Sequence, residues 1–433
     1  MGKLKAGFGK SVITPRVGSH LMGYASRTSP STGVHDDLHA RALVLDVGGQ
    51  GWALCGVELC YLREPQVAAV REIVQKRTGF PGDRLFVSAI HNHSGPDDQD
   101  VKSWDSPLAE LIANAVVQAV EGMRPARIGA GSGFLYGWSV NRRWLDRPVD
   151  PFVGVIRVDD NDGHAIGVVS NFGCHAVVLG YDNLLISADW PGVTSQTIEG
   201  MLGPGSVCIV TQGGSGDVNP LTSPVRSRIQ SGISIGTMKG RSYFGEPKGR
   251  FEWHIADRGG GTFEETTELG RAVGAEIIHV MRTIITKPSV DGLWVERATF
   301  DGSRQADDPP YPMEVETPPH MTERPIPAGL DGERPMEVML MGVQQPNIVL
   351  VGEPGEIFAE TAVTMRQRMQ TLGYEQPWAI GYANGWQLYL PPTSAFPEGG
   401  YEVNWAVDLG LSPTLQDRIW AAIQPILREH APR

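Results

Sequence analysis

Cysteine is scarce in this sequence, and positive charge is outnumbered by negative charge. There are 4 cysteines among 433 residues, none in the CxxC spacing typical of zinc ribbons. They lie in or beside apolar stretches, which predicts reduced, buried thiols rather than a disulfide framework. The 37 Lys and Arg residues against 49 Asp and Glu residues give a net charge of −12. The chain therefore has no overall basic field, and a nucleic-acid partner is not expected.

Long apolar runs are also missing. No run approaches the ~18 consecutive apolar residues of a membrane-spanning helix. The N-terminal segment MGKLKAGFGKSVITP has no apolar core of a signal peptide. These absences predict a soluble cytoplasmic protein without stable membrane insertion. The 53 Gly and 32 Pro residues follow no triplet period and lie between apolar runs, which excludes collagen and predicts many turns and long loops.

Short β-type runs that end in Gly-rich turns, several of them followed by amphipathic stretches, are typical of an α/β protein. The clearest predicted strands cover residues 40–47, 52–59, 84–90, 165–172, 207–211, 347–352 and 378–383. The predicted helices cover residues 65–77, 107–122, 193–202, 264–286, 356–371 and 414–429. We expect mixed β-sheets flanked by helices in one large catalytic domain spanning residues 1–433.

Two long stretches carry little regular pattern. Residues 213–262 are rich in Gly and Ser, and residues 302–336 are rich in Pro. Loops of this length inside a compact chain more often line a site than stand idle. We therefore expect substrate identity to depend on these two stretches.

The predicted strand at 84–90 runs directly into a pair of histidines, His91 and His93. Two histidines at i and i+2 of an extended segment project to the same side of the chain. One of them can then bind a metal ion while the other faces the same cavity. The alternative is a pair of hydrogen-bonded loop histidines without a ligand.

Further polar residues follow other predicted strands and turns. His175 ends one predicted strand, although a lone histidine between Cys and Ala is more often a core residue. Glu353 and Glu356 bracket a Pro-Gly turn that leads into a predicted helix, where the helix dipole favours a carboxylate in the first turn whatever else it does. Tyr389 and Tyr401 lie near turns, where tyrosines usually pack with a solvated hydroxyl.

Taken in order, these motifs resemble the catalytic domain of the neutral (non-lysosomal) ceramidases, a family of zinc amidases. The resemblance covers essentially the whole chain and is specific as a set. The matching segments are GFGKSVITP, MGYA, GVHDDLHARA, HNHSGP, VNRRW, GCH, SADWPG, GGSGDVNP, PGEIF and a final NxxxxY followed by YE.

The resemblance implies a Zn²⁺ site with substrate-binding residues beside it. The expected zinc ligands are His91, His175, Glu356 and Tyr389. The residues expected around the substrate carbonyl are His93, Arg142 and Tyr401. The residues expected to orient these side chains are Asp189, Asp217 and Asn219. The motif selects Glu356 over Glu353 because Glu356 directly follows Pro-Gly.

The chemistry of these residue types agrees with that implication. Imidazoles and a carboxylate are a normal zinc set, whereas a phenolate such as that of Tyr389 is an uncommon ligand. Zinc with an open coordination position activates water near neutral pH, and histidine, tyrosine and arginine can donate to a developing oxyanion. We therefore expect a zinc-dependent hydrolase that cleaves a linear amide bond, as in an N-acyl compound, with metal-activated water.

Two departures from the family keep the substrate open. Members that act on ceramide typically carry an additional C-terminal immunoglobulin-like module, which we expect this chain to lack. Asp97 and Asp98 also follow the histidine motif where the family tends to have Gly. The cationic and aromatic residues Arg142, Arg143, Trp144 and Trp386 suit a small polar or sugar-like acid at least as well as a lipid chain.

Two other functions compete with amide hydrolysis. One is a zinc-dependent lyase or glycoside-cleaving enzyme acting on a uronic-acid-type saccharide, with Arg142 and zinc neutralising the carboxylate and Tyr401 as base. The other is a non-catalytic binding protein, which is disfavoured because all four expected ligand positions hold competent residue types. The expected partner is a small-molecule amide or saccharide, and a homo-oligomer is compatible with the sequence.

Overall fold

The computed structural model describes residues 2–144, 147–230, 260–311 and 334–432. Large parts of the two stretches expected to line the site, 213–262 and 302–336, lie outside the described residues. Among the helices that are described, none has both the length and the apolar character needed to cross a bilayer.

Strands and helices alternate along most of the described chain. The strands are β1 (Gly2–Lys3), β2 (Lys5–Val12), β3 (Gly33–Val34), β4 (His39–Val47), β5 (Gln50–Val57), β6 (Leu85–Ala89), β7 (Arg124–Phe134), β8 (Ser139–Asn141), β9 (Phe152–Asp160), β10 (Ala165–Phe172), β11 (Leu185–Ile186), β12 (Val207–Gln212), β13 (Val218–Pro220), β14 (Ser289–Asp301), β15 (Pro335–Gln345), β16 (Ile348–Gly352), β17 (Glu356–Ile357), β18 (Gln376–Ile380) and β19 (Tyr389–Leu390). The helices are α1 (Glu64–Thr78), α2 (Leu108–Glu121), α3 (Asp189–Leu202), α4 (Ser223–Gln230), α5 (Phe263–Met281), α6 (Ala359–Thr371), α7 (Tyr401–Asp408) and α8 (Leu415–Glu429).

Two sheets stacked face to face form the centre of the molecule. An eight-stranded sheet has the order β12-β10-β9-β7-β2-β4-β5-β6, and a five-stranded sheet has the order β1-β14-β15-β16-β18. Apolar side chains from both sheets, such as Trp52 and Trp378, form a shared core. Helices α1, α2, α3 and α5 cover the outer face of the larger sheet, and α6, α7 and α8 cover that of the smaller one. The architecture is therefore a four-layer helix–sheet–sheet–helix sandwich, which confirms the predicted α/β class with mixed sheets.

The eight-stranded sheet curls until its two edges meet. At the end of β12, the side-chain amide of Gln212 donates to the carbonyl of Ile90, just beyond β6 at the other edge, over 2.8 Å. A Cβ added at Gly56 would lie 2.7 Å from a methyl carbon of Ile209, so β5 and β12 pack closely only because residue 56 is glycine. The backbone N–H of Gly381, after β18 of the second sheet, also donates to the carbonyl of Gln212 at 2.9 Å.

This curling brings together the ends of several parallel strands. β5 and β6, β10 and β12, and β16 and β18 pair in parallel, and their carboxyl ends converge on one region. In α/β sheets, side chains that follow the carboxyl ends of strands form the usual site for ligands. His91 follows β6, His175 follows β10 and Glu356 follows β16.

Every predicted strand and helix overlaps an observed one, with differences at the ends. The predicted strand 378–383 stops at Ile380, and the predicted helix 264–286 stops at Met281. The predicted helix 356–371 begins only at Ala359. This last difference changes the setting of Glu356.

Candidate metal centre

His91 lies just beyond β6 in a left-handed backbone conformation, with φ of 62°. The prediction that His91 and His93 lie on an extended segment is therefore wrong. The Nδ1 atom of His91 donates to the carbonyl of Cys60 over 2.7 Å. This bond fixes the ring and leaves Nε2 directed into the molecule as a possible ligand atom.

His175 is held in the same manner. It follows β10, and its Nδ1 donates to the carbonyl of Ser215 over 2.5 Å. The indole Nε1 of Trp190 donates to the carbonyl of His175 over 3.2 Å. The ring is fully buried, and its Nε2 points toward the same place as that of His91.

Glu356 does not lie in the first turn of a helix, and that prediction is wrong. It belongs to the short strand β17, which pairs in parallel with β19 so that Glu356 stands opposite Tyr389. The helix dipole is therefore not what holds this carboxylate. Glu353, the competing acid, is buried elsewhere and accepts a hydrogen bond from the side chain of Gln416 at 2.8 Å.

The three side chains converge on one point. An oxygen of Glu356 lies 3.4 Å from Nε2 of His91 and 3.3 Å from Nε2 of His175. Their ligand atoms all lie within 4.8 Å of one another. Because each imidazole donates from Nδ1 to a backbone carbonyl, each neutral ring presents a lone pair at Nε2. Two such nitrogens and a carboxylate fit a zinc-type ion.

The pKa values of these groups follow from burial and close contact. Burial alone would lower the pKa of His91, but Glu356 and then Cys60 raise it to about 10. Burial opposes ionisation of Glu356, but His91 and His175 hold its pKa well below the usual range. Burial and the charge of Arg142 lower the pKa of His175 to about 4. A proton and a metal ion therefore compete for His91, and metal uptake should release protons.

His93 lies beside the three converging side chains. Its Nε2 is 3.1 Å from Nε2 of His91, and its carbonyl accepts a hydrogen bond from Arg27 over 2.7 Å. Burial, followed by the neighbouring His91 and His175, lowers the pKa of His93 well below its usual value. The ring is therefore neutral at pH 7.

Arg142 faces the cluster from the end of β8. One of its terminal nitrogens donates to the hydroxyl of Tyr389 over 2.9 Å, and the other lies 3.3 Å from Nε2 of His175. The second nitrogen also lies 3.3 Å from the side-chain oxygen of Asn219. Burial raises the pKa of Tyr389 well above its usual value, although the charge of Arg142 opposes this. The structure thus brings the expected fourth ligand and the expected substrate arginine into contact.

The neighbouring arginine has a different environment. Arg143 is 0% exposed and donates to the carboxylate of Glu402 over 2.9 Å and to the carbonyl of Gly399 over 2.8 Å. The other oxygen of Glu402 accepts from Nε of Arg142 at 2.8 Å. Glu402, which sequence reasoning assigned no role, therefore forms an ion pair with each arginine. Arg143 offers no cationic surface to a substrate.

The remaining predicted residues lie close to the cluster but differ in what they contact. The ring of Tyr401 packs edge-on against Tyr389, with centroids 5.6 Å apart. The carbonyl of Asp217 accepts the backbone N–H of Arg142 at 2.8 Å. Asp189 instead accepts the backbone N–H groups of Leu179 and Trp190, so it shapes the start of α3 and contacts no member of the cluster.

Besides Glu402, sequence reasoning missed three residues that contact the proposed ligands. Cys60 and Ser215 hold the rings of His91 and His175 through their backbone carbonyls, and no side-chain pattern could reveal these two bonds. Tyr382 stacks on His91 and lies beyond the end of β18, within a segment that the sequence predicts as strand. Its left-handed backbone, with φ of 54°, is visible only in three dimensions.

Comparison with known proteins adds independent information on this chain. A family model described as "Neutral/alkaline non-lysosomal ceramidase, N-terminal" matches residues 4–234, which is more than half of the chain. The chain belongs to this ceramidase family. The family match contains His91, His93, Arg142 and His175, whereas Glu356, Tyr389 and Tyr401 lie beyond it.

Individual relatives agree with this membership. Neutral ceramidase B of Dictyostelium discoideum is 27% identical over 240 residues, which is 47% of this chain and 33% of the relative. Neutral ceramidase of Pseudomonas aeruginosa is 25% identical over 244 residues, covering 49% of this chain and 36% of the relative. The matched part therefore spans about a third of the length of these relatives.

A solved ceramidase structure has the same fold. The crystal structure of neutral ceramidase from Pseudomonas aeruginosa superimposes with a TM-score of 0.73 at 18% identity. The superposition covers 100% of this chain and 76% of that chain. The likeness extends over the segments that carry Glu356, Tyr389 and Tyr401.

Proposed function

We propose that this chain hydrolyses a linear amide bond at a zinc centre. The observation that carries the proposal is the convergence of His91, His175 and Glu356 with the guanidinium of Arg142 directly beside them. The relatives are named neutral ceramidases, and ceramide is an N-acyl amide. An amide substrate therefore agrees with both the side chains and the family.

The expected ligands have distinct parts in holding the ion. Nε2 of His91, Nε2 of His175 and an oxygen of Glu356 would bind it, and the hydroxyl of Tyr389 is the candidate fourth ligand. Arg142 supports this role of Tyr389, because a nearby positive charge favours a phenolate. Zinc in such a site supplies Lewis acidity and the activation of water near neutral pH.

The chain's own residues would manage the charge of the reaction. Hydrolysis adds water to the amide carbonyl, breaks the C–N bond and leaves the nitrogen protonated, and negative charge develops on the carbonyl oxygen. Arg142 is held in place by Glu402 and Asn219 and provides a fixed positive charge. His93 is neutral, and with Tyr401 it can donate to that oxygen.

The saccharide alternative has less support from the site. It relies on a cationic surface that recognises a carboxylate, and Arg143 is fully buried against Glu402. Trp386 is likewise stacked on Tyr61, with ring centroids 3.9 Å apart. Arg142 and the zinc ion would then bind the acid without help from Arg143 or Trp386. Because the relatives are also named ceramidases, an N-acyl amide is the proposed substrate class.

A product analysis tests the proposal. The zinc-loaded chain is incubated with N-acyl amides of short and long chain length and, separately, with acidic oligosaccharides, and product masses are recorded. We expect a free carboxylic acid and an amine that together exceed the substrate by one water. His175→Ala should abolish this, and His164→Ala, at an exposed turn, should not. Cleavage of the saccharides alone would overturn the proposal.

A further inference from the structure

Tyr382 ties together the two segments that carry His91 and Glu356. Its backbone N–H donates to the carbonyl of Gly355 over 2.9 Å, and its carbonyl accepts the N–H of Ala89 at 3.1 Å. Gly355 directly precedes Glu356, and Ala89 ends β6 shortly before His91. The residue is 1% exposed and has a φ of 54°, which is unfavourable for an aromatic residue unless its surroundings enforce it.

The side chain of Tyr382 contacts two of the proposed ligands directly. Its ring stacks on the imidazole of His91, with centroids 4.3 Å apart and planes inclined by 21°. Its hydroxyl lies 3.5 Å from an oxygen of Glu356 and 2.9 Å from the hydroxyl of Ser215. Ser215 in turn accepts Nδ1–H of His175 at its carbonyl. The pair of Ser215 and Tyr382 therefore touches all three proposed ligands.

The direction of these hydrogen bonds follows from the carboxylate of Glu356, which is the last acceptor in the series from Ser215 through Tyr382. The carboxylate of Glu356 can only accept, so Tyr382 donates to it and Ser215 donates to Tyr382. Tyr389 differs because its hydroxyl accepts from Arg142. The two tyrosines beside Glu356 thus have opposite hydrogen-bond roles.

We infer that Ser215 and Tyr382 are positioning residues that set the affinity of the His91, His175 and Glu356 site for its metal ion. They act by fixing the rings and the carboxylate in the geometry that binding requires. Outer partners of metal ligands typically contribute about 10-fold to 100-fold to metal affinity. The inference rests on the metal centre of the proposed function and on no particular substrate.

Zinc affinity, measured by competition with a chromophoric chelator, tests this inference. We expect Tyr382→Phe and Ser215→Ala each to weaken zinc binding by about 10-fold to 100-fold. The double variant should lose little more than the stronger single variant, because both changes interrupt the same hydrogen-bonded chain. Activity of Tyr382→Phe should recover when zinc is raised to saturation, which a merely structural defect would not allow.

Two matched variants control for the loss of a buried hydroxyl. Tyr374→Phe removes a phenol that donates to the carbonyl of Leu427, and Ser170→Ala removes a hydroxyl that donates to Gly154. Both should keep wild-type zinc affinity. If folded Tyr382→Phe keeps wild-type zinc affinity, the inference is wrong while the proposed metal centre stands. If Tyr382→Phe does not fold, wild-type zinc affinity in Ser215→Ala has the same consequence. A wild-type chain that binds no zinc would overturn the proposed metal centre as well.

Discussion

Two adjacent arginines show how far residue identity alone can guide assignment of the site. Arg142 reaches Tyr389 and His175, whereas Arg143 is enclosed by Glu402 and the carbonyl of Gly399. The sequence presents both as equal cations. Only the resemblance to the ceramidases assigns the substrate role to Arg142 rather than to Arg143. In the structure, one carboxylate, that of Glu402, holds both side chains and leaves only Arg142 beside the proposed ligands.

Lysine should not replace arginine at position 142. Its single ammonium cannot contact Glu402, Asn219 and Tyr389 together, as the guanidinium does. We expect Arg142→Lys to lower the kcat of amide hydrolysis by about 10²-fold while the chain retains zinc. Arg366→Lys, which changes a bidentate pair with Asp150, is the matched control. Near-wild-type turnover with zinc retained would indicate a structural role for Arg142.

The two tyrosines expected at the site should respond differently to loss of the hydroxyl. Tyr401→Phe removes one donor to the developing oxyanion, so we expect kcat to fall by about 10²-fold to 10³-fold with little change in KM. Tyr389→Phe should also weaken zinc retention, because its hydroxyl is the candidate fourth ligand. Kinetics and bound zinc are measured for both variants. Equal metal loss in both would place Tyr401 among the ligands, and unchanged turnover of Tyr401→Phe would make it a packing residue.

At the scale of secondary structure, the segment from Glu353 to Ala359 is where sequence reasoning failed. A Pro-Gly turn before an amphipathic stretch predicts a helix, and a helix does follow. Between them lies the short strand β17, which exists only because β19, much later in the chain, pairs with it. Local propensity carries no information on such a long-range pair. Glu356 is thereby set opposite Tyr389 rather than at a helix terminus.

Glu353, at the start of this segment, should make stability depend on pH. Burial raises its pKa to about 7, with Gln416 opposing the shift. The folded chain therefore binds the proton more tightly than the unfolded chain, so this group's contribution to the free energy of unfolding falls as pH rises from about 4.5 to about 7. Glu353→Gln cannot ionise and should escape this loss, which is on the order of 3 kcal/mol at most.

Urea unfolding of wild type and Glu353→Gln at about pH 5 and about pH 8 measures this effect. The variant should gain stability relative to wild type between the two pH values. Glu375→Gln, at an exposed position, should show no such gain. An identical pH dependence in wild type and Glu353→Gln would mean that the buried carboxyl keeps its ordinary pKa in the folded chain.

At the scale of the whole molecule, the curled sheet determines the site. The sequence predicts the strands that precede His91 and His175, because alternating and apolar runs are local signals. It does not predict that β12 and β6, at opposite edges of one sheet, come together through contacts such as Gln212 to Ile90. That closure depends on pairings far apart in sequence. Cytoplasmic location, a single domain and a homo-oligomer stay predictions.

Anomalous X-ray scattering at the zinc absorption edge, from crystals grown with zinc, is the decisive measurement for the proposed metal centre. We expect one peak per chain at about 2.0–2.2 Å from Nε2 of His91, Nε2 of His175 and an oxygen of Glu356. Cys60, His91 and His93 form a neighbouring group that could also hold an ion. A peak at that group instead, or no peak beside His175 and Glu356, would contradict the proposed centre.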